Sequence, residues 1–517
     1  MIEAPGDRLV SHDPATGAVL GEVAATPLEE VGAVLARVRF AQPAWQERGY
    51  HGRAIALMRW RDAIRDDRDG LALLLSRENG KPLAEAMAEV LSACDFLAYY
   101  ASHAHRFLKD QSVQVWNPLL RNPRTYVTFV PKGVVGVVSP WNYPLLLAMA
   151  SVSGALAAGN TVVHKPSELT PLVAARVGEL ARKAGLPEGV FTVIPGDGRV
   201  GAALVAGDVN HVCFTGSVAT GRKVAVACAE RFVSTSLELG GKDPALVLPD
   251  ADLDFTAKGL VWGAFLNAGQ TCASVERVYV DEAIAEPLTE RIVRLTRTLS
   301  VGAGQDPATD VGPIINEGQL AKIDEQVRDA VQKGAKLLLG GHRLERPGQF
   351  YAPTVLTDVT PDMLLMREET FGPVLPIVRV SGGSQELVRA ANDSPFALSA
   401  TVWGRDMARA EDVARQVEAG VVWINTGIAS YGVPATQRGG MKESGVGRVG
   451  GQLGLLEYVE SKLIDANPSG RERFYWYPSW PGATAFISSA IETLHGASVG
   501  DRLRGAMGLL RNWPPRR

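Results

Sequence analysis

Thr161-Val162-Val163-His164 is a short apolar run that ends in Lys165-Pro166-Ser167-Glu168, and the segments beyond it decide the fold. Thr170 can cap a helix that begins with Pro171, keeps Val173, Val177 and Leu180 on one face, and stops at Gly185. Val190 to Ile194 reads as the next strand, His211 to Phe214 as another, and Ser217 to Glu230 as another helix. Strands alternating with helices of roughly 10–15 residues imply a parallel, doubly wound sheet. The fold class is therefore α/β. Upstream, Arg124 to Ser139 is strand material around Gly133 and Gly136, and Glu29 to Ala101 has the apolar periodicity of helices. Downstream, a second α/β alternation runs from Pro244 to about Asn425.

At 517 residues the chain calls for two or three packed units. Its 53 basic and 56 acidic residues give a net charge of −3, which leaves no global basic footprint for nucleic acid. Four cysteines (Cys94, Cys213, Cys228, Cys272) contain no CxxC pair and form no disulfide framework, so a reducing, cytoplasmic setting and no metal are expected. Met1 to Val10 carries Glu3 and Asp7 and no apolar core of a secretory signal, and no run of 18 apolar residues is present.

Loops at strand ends carry the chemistry of such sheets. Phe214-Thr215-Gly216-Ser217-Val218-Ala219-Thr220-Gly221 sets a glycine turn before a helix, whose free N–H groups and dipole suit a pyrophosphate. Taken alone, it fits an ordinary strand-to-helix turn better than a phosphate site, and Gly196, Gly198 and Gly201 are an equally weak signal by themselves. Lys165 and Glu168 could hold two ribose hydroxyls, or form a solvated loop pair.

Phe265-Leu266-Asn267-Ala268-Gly269-Gln270-Thr271-Cys272 places a thiol after a Gly-Gln-Thr turn, whose backbone amides are expected to lower its pKa. A cysteine without such a context is usually a small buried hydrophobe. Glu238-Leu239-Gly240-Gly241-Lys242 puts a carboxylate beside flexible glycines, as a general base requires. Ser139-Pro140-Trp141-Asn142-Tyr143-Pro144 fixes an amide between two prolines, a rigid donor for an oxyanion.

Together these segments resemble the aldehyde dehydrogenase superfamily, from about Asp13 to Ile464. Glu238 with Leu-Gly-Gly-Lys and Cys272 after Gly-Gln-Thr match its two most specific motifs. Pro140-Trp141-Asn142, Lys165 to Glu168, Phe214 to Ser217, Glu368-Glu369-Thr370-Phe371-Gly372-Pro373 and Gly439 to Arg448 match five more, in the same order. The resemblance implies a Rossmann-type NAD(P)-binding domain (1–113 and 132–240), an α/β catalytic domain (241–440), small β oligomerisation segments (114–131 and 441–466) and an atypical C-terminal extension (467–517). It implies Cys272 as nucleophile, Asn142 with the Cys272 amide as oxyanion donors, and Glu238 as the base that hydrolyses a thioester. The cofactor residues it implies are Val138, Ser139, Pro140, Trp141, Lys165, Ser167, Glu168, Gly198, Gly201, Phe214, Thr215, Gly216, Ser217, Gly221, Leu239, Gly240, Glu369 and Phe371. Glu168 would repel a 2′-phosphate, which favours NAD, while Lys165 could attract it and admit NADP. Many members carry Glu after the Gly-Arg that matches Gly447-Arg448, where it can relay protons; here Val449 stands there. Glu238 then exchanges protons with bulk water, or deacylation is slower.

Tyr143, Leu146, Leu147, Leu266 and Ala273 align with the aldehyde tunnel, and favour an uncharged medium- to long-chain or aromatic aldehyde over a semialdehyde with a second carboxylate. A coenzyme-A-acylating enzyme is the nearest alternative, opposed by Glu238; a non-catalytic binding protein is the other, opposed by the intact triad of site residues. A homodimer or homotetramer is expected through Arg124 to Phe129 and a strand near Tyr458 to Ile464. After Asn467, Phe474 to Trp480 is aromatic-dense, and Ile487, Ile491, Leu494 and Leu503, Met507, Leu510 recur at helical spacing. Seven Arg against three acidic residues make this tail locally +4. Packing against this or a neighbouring subunit is the first expectation for it, and peripheral contact with an anionic membrane the second.

Overall fold

Val134–Val138 is the hub of a six-stranded sheet, because the chain builds outward from it first on one side, with Thr161–Lys165, and then on the other, with His211–Thr215. A computed structural model describes residues 8–122, 124–468, 470, 472–477 and 479–514. The acidic start at Glu3 and Asp7, Pro478 of the aromatic stretch, and Arg471, Arg516 and Arg517 of the basic tail lie outside the described residues. The sheet runs in the order Gly445–Val446, Ser234–Glu238, His211–Thr215, Val134–Val138, Thr161–Lys165, Phe191–Val193. All pairs are parallel except the one that Gly445–Val446 makes with Ser234–Glu238. Every residue of Thr161–Lys165 is buried, as expected where helices cover both faces of a parallel sheet. Strand order reverses at Val134–Val138, and ligands of such sheets bind in the crevice at that carboxyl end.

Helices Val31–Glu47, Gly49–Asp66, Arg68–Asn79 and Leu83–Phe107 fill the region read as helical. Pro171–Lys183 forms where Pro171 and the Val173, Val177, Leu180 face predict it, and those three residues are buried. Its cap differs from expectation. The Thr170 hydroxyl makes no cap bond; instead the Glu78 carboxylate accepts from Leu172 N (2.8 Å) and Val173 N (3.0 Å). A carboxylate serves the free amides and positive dipole end better than a hydroxyl, and it arrives from a distant helix that local reading cannot see.

A second sheet has seven strands in the order Lys336–Leu339, Thr354–Thr357, Val374–Val380, Arg277–Asp281, Pro244–Val247, Ser399–Trp403, Val421–Ile424. Only Lys336–Leu339 is antiparallel to its neighbour.

The chain divides into two compact units, Met1–Lys109 with Phe129–Glu460, and Asp110–Thr128 with Ser461–Arg517. Both large sheets belong to the first. The second contains helices Ala483–His495 and Val499–Arg511, packed as a hairpin around Phe486 and Ala490. A further sheet, in the order Val459–Ala466, Arg124–Pro131, Gln111–Ser112, leaves Val459–Ala466 at an edge with Leu463 exposed. Among the described residues, no helix is long and apolar enough to cross a membrane.

Candidate active site

The turn that presents Cys272 is bent by three successive left-handed residues, Asn267 (φ 51°), Ala268 (φ 56°) and Gly269 (φ 70°). Such non-glycine conformations cost on the order of 1–3 kcal/mol each and persist only where the surroundings enforce them. Gln270 supplies that enforcement. Its amide donates to Asn267 O (3.1 Å) and Pro313 O (3.2 Å), and its oxygen accepts from Ile315 N (2.9 Å). A Cβ at Gly269 would collide with the Gly372 carbonyl, so this position requires glycine on two counts. The Gly-Gln-Thr signature is thus the apparatus of a strained turn.

Asn142 is held against that turn. Its Nδ2 donates to Gln270 O (3.0 Å), which leaves its second N–H for another acceptor. Its carbonyl accepts from Asn267 Nδ2 (3.0 Å) and Lys81 Nζ (2.8 Å). Lys81 is paired with Glu89 at 2.6 Å, and Glu89 also caps the following helix through Leu145 N and Leu146 N. The Tyr143 hydroxyl meets Thr271 Oγ1 at 2.9 Å.

Glu238 ends its strand opposite Gly445, with Leu239 N bonded to Ser444 O and the Ser444 hydroxyl to Gly240 O. Its carboxyl is buried, and Oε1 has no hydrogen-bond partner among the described residues. Burial raises its pKa above the ordinary glutamate value, opposed by Arg438 and Arg448. Arg438 is also buried: Nη1 donates to Tyr431 O (2.8 Å), while Nε, Nη2 and the Tyr431 hydroxyl lack partners among the described residues. Val449 is buried in the core and bridges Arg438 through its backbone.

The expected low thiol pKa is not found. Burial, then the facing carboxylates Glu238, Asp243 and Glu369, push Cys272 well above an ordinary thiol. The turn orients the sulfur but brings no cation close enough to offset three carboxylates.

A cleft of about 200 Å³ gathers Pro140, Trp141, Asn142, Leu147, Thr215, Gly216, Ser217, Glu238, Leu239, Gly240, Cys272, Glu369 and Phe371, together with Gln319 and Lys322, which sequence reasoning missed. Lys242 and Glu276, a buried pair at 2.6 Å, lie behind the loop that carries Glu369 and Phe371. Glu276 accepts from Thr370 N and Phe371 N, both at 2.8 Å, and Lys242 donates to Thr370 Oγ1. Glu369 accepts from Gly241 N (3.0 Å), and a Cβ at Gly240 would fill the space before its carboxylate. Phe371 meets Trp141 edge-on at 5.4 Å. Ser217 caps helix Val218–Ala229 at the cleft's exposed end. Lys165 and Glu168 pair at 3.3 Å beyond the carboxyl end of their strand. This donor set fits a dinucleotide: free helix amides for phosphate, and carboxylates with a lysine for ribose hydroxyls.

Other residues expected at the cofactor lie outside that cleft. Ser139 is turned to His164 Nε2 (2.7 Å), Ser167 accepts from Leu169 N, and Gly221 makes room for Leu239. Val138 closes the central strand and Phe214 is buried. Gly198 and Gly201 begin a helix whose cap Asp197 accepts from Arg199 N.

A second cavity, of about 370 Å³, also reaches Cys272. Tyr143, Leu146, Leu147, Leu266 and Thr271 line it, as do Trp262, Ile428, Tyr431 and one side of helix Leu83–Phe107. Ala84, Ala88 and Ser92, small residues at i, i+4 and i+8, were the one sequence signal for that helical wall. Ala273 is a correction: it is buried in a cluster with Leu398, Trp423, Ile428 and Tyr431 and is not part of this cavity's lining. The lining contains no Arg, Lys or His.

A thiol at the junction of an apolar channel and a dinucleotide-shaped cleft is an arrangement that suits an oxidoreductase, and the comparisons show the class. Residues 2–464 match the Aldehyde dehydrogenase family, to which this chain belongs. It is 39% identical to a mitochondrial succinate-semialdehyde dehydrogenase of Oryza sativa subsp. japonica, over 89% of this chain and 86% of that one. It is 38% identical to the NADP(+) succinate-semialdehyde dehydrogenase of Escherichia coli, over 89% and 94%. The structure of an NAD-dependent aldehyde dehydrogenase from Sinorhizobium meliloti superposes with a TM-score of 0.86 at 37% identity, covering 91% of this chain and 93% of that one. The enzyme is an aldehyde dehydrogenase with the α/β architecture of that family.

Proposed function

We propose that this enzyme oxidises an uncharged medium- to long-chain or aromatic aldehyde to its acid at Cys272, with NAD or NADP. The observation that carries the reading is that the apolar channel and the cofactor cleft share Cys272 and Leu147. The Cys272 thiolate adds to the aldehyde carbon, forming the C–S bond of a thiohemiacetal. The free N–H of Asn142 and the Cys272 amide hold the oxyanion. The bound nicotinamide supplies the hydride acceptor, which leaves a thioester on Cys272. Glu238 takes a proton from water, whose oxygen attacks the thioester carbon and releases acid and thiol. Glu238 in this role speaks against coenzyme-A transfer.

Arg438 and Tyr431 support the base where Val449 offers no acid. Their unpartnered groups and Glu238 Oε1 call for ordered water, because buried polar atoms rarely go unsatisfied. That water gives Glu238 a proton route, with the Arg438 charge favouring its carboxylate.

NAD is preferred, since Glu168 would face a 2′-phosphate. We assign 1–113 with 132–240 to coenzyme binding, 241–440 to catalysis, and the sheet edge at Val459–Ala466 to a homodimer or homotetramer. All four cysteines are free thiols, in keeping with a cytoplasmic setting.

The relatives' names raise a second reading, a semialdehyde substrate. Against it, the channel's carboxyl groups are Glu85 and Glu89, and no cation lines it: Glu85 is pushed up to about 7 by burial, and Glu89 is bound to Lys81. A carboxylate substrate would find no counter-charge there. An NADH assay with hexanal, benzaldehyde and succinate semialdehyde, with Cys272→Ser as control, tests both. We expect kcat/KM to favour the uncharged aldehydes at least about tenfold. Preference for the semialdehyde overturns the substrate reading, and no NADH from any aldehyde overturns the activity.

A further inference from the structure

The C-terminal helical hairpin is built inside out. Helices Ala483–His495 and Val499–Arg511 meet through small residues: a Cβ at Gly505 would strike Glu492 and Thr493, and one at Gly508 would strike Ser489. Between them Gly496 sits so near Asp501 that no side chain fits, and a Ser498–Asp501 capping box starts the second helix. Phe486 is the one large apolar side chain of these helices that is fully buried, against Phe474, Trp480 and Trp513; most of the others face solvent. Ile487, Ile491, Val499, Leu503, Met507, Leu510 and Trp513 are each more than half exposed.

A hairpin designed for water hides its leucines in the seam and shows its small and polar residues. The opposite arrangement, a close small-residue seam with apolar ridges outward, is how helices associate in lipid. Trp476 and Tyr475 are half exposed and Tyr477 almost wholly so, the amphipathic aromatic type found where hydrocarbon meets water. Arg502, Arg504 and Arg511 stand on the second helix and give its mostly apolar surface an attraction for negative charge; Arg504 is partly offset by Asp501. The tail's seven Arg against three acids contrast with the net −3 of the whole chain. Each helix has 13 residues, about 20 Å of rise, too short to span a bilayer.

We propose that this hairpin is a monotopic membrane foot, which seats its apolar ridges in the surface of an anionic bilayer with its arginines among the headgroups. A foot of this kind brings the enzyme to a surface where long-chain apolar aldehydes partition. The proposal stands apart from the substrate reading, because vesicle binding is scored without any substrate.

Co-flotation of the full-length protein with phosphatidylcholine vesicles, with and without phosphatidylglycerol, tests it. The protein should float with the anionic vesicles, and less so as salt rises. The triple substitution Leu503→Glu, Met507→Glu, Leu510→Glu changes only exposed positions and should lower the bound fraction at least roughly tenfold, with the NADH-forming rate on a soluble aldehyde unchanged. Arg504→Glu with Arg511→Glu should abolish the preference for phosphatidylglycerol. Absence of flotation with either vesicle overturns the proposal. So does a native mass that falls by half in the triple variant while flotation persists, which would assign the ridges to a second copy of the chain.

Discussion

Cys272 and Glu238 share a property that would set the pH behaviour of the proposed reaction: desolvation makes both hold their protons more tightly than free side chains do, Glu238 being buried and Cys272 partly so. In the proposed reaction each works deprotonated, as attacking thiolate or as base. A raised pKa therefore lowers the active fraction near neutrality, and rate climbs as pH rises. Initial-rate measurements between about pH 7 and 9 should show kcat/KM still increasing at the alkaline end. A flat or falling profile would mean that something restores a low thiol pKa. Asn142→Ala should reduce kcat by on the order of 10²–10³, the loss of one oxyanion donor. Arg438→Met removes the cation that favours the Glu238 carboxylate. Its steady-state profile should move to higher pH while the pre-steady-state NADH burst keeps its amplitude, and Arg438→Lys should move it part of the way back. An unshifted profile would dismiss the Arg438 route. Cys272, Glu238 and Asn142 could be singled out as candidates from sequence because each sits in a segment with its own residue signature. The environment that sets their protonation could not, since Asp243, Glu369 and Arg438 converge only in three dimensions.

At the level of elements, the alternating strands and helices were legible from periodicity and turn residues, from Thr161–Lys165 to Val218–Ala229. The contributions of distant chain segments to one another were not. Glu78 caps a helix that Thr170 was expected to cap, and Glu89 caps another while anchoring Lys81 beneath Asn142. The loop bearing Glu369 and Phe371 hangs from Glu276, whose charge Lys242 balances in the core. Lys242→Met would leave Glu276 buried without a cation, at a cost of about 3–5 kcal/mol. Urea unfolding monitored by fluorescence should record that loss, and coenzyme KM should rise because the Thr370-Phe371 loop loses its anchor. Stability within about 1 kcal/mol of wild type would show that the pair is not what holds the loop. The tunnel wall of helix Leu83–Phe107 was nearly invisible for a related reason: Ala84, Ala88 and Ser92 are ordinary helix residues until Trp262 and Tyr431 face them.

On the scale of the whole molecule, two cavities are arranged so that one sulfur belongs to both, and each half of the chemistry has its own chamber. On the proposed reading the apolar channel selects the aldehyde, and the cleft selects what takes the hydride. Seven motifs in order made the class legible before any coordinates; the channel's lack of a cation, set against relatives named for semialdehydes, became visible only once the walls were assembled. The proposed turnover rests on a covalent acyl group at Cys272 that Glu238 is needed to release. The direct measurement is intact-protein and peptide mass spectrometry of Glu238→Gln, quenched in acid after mixing with hexanal and NAD. We predict one equivalent of NADH and a mass increase equal to the hexanoyl group on the peptide containing Cys272, absent when Cys272→Ser is added. Sustained turnover by Glu238→Gln without an acyl adduct, or an adduct on any other residue, would contradict it.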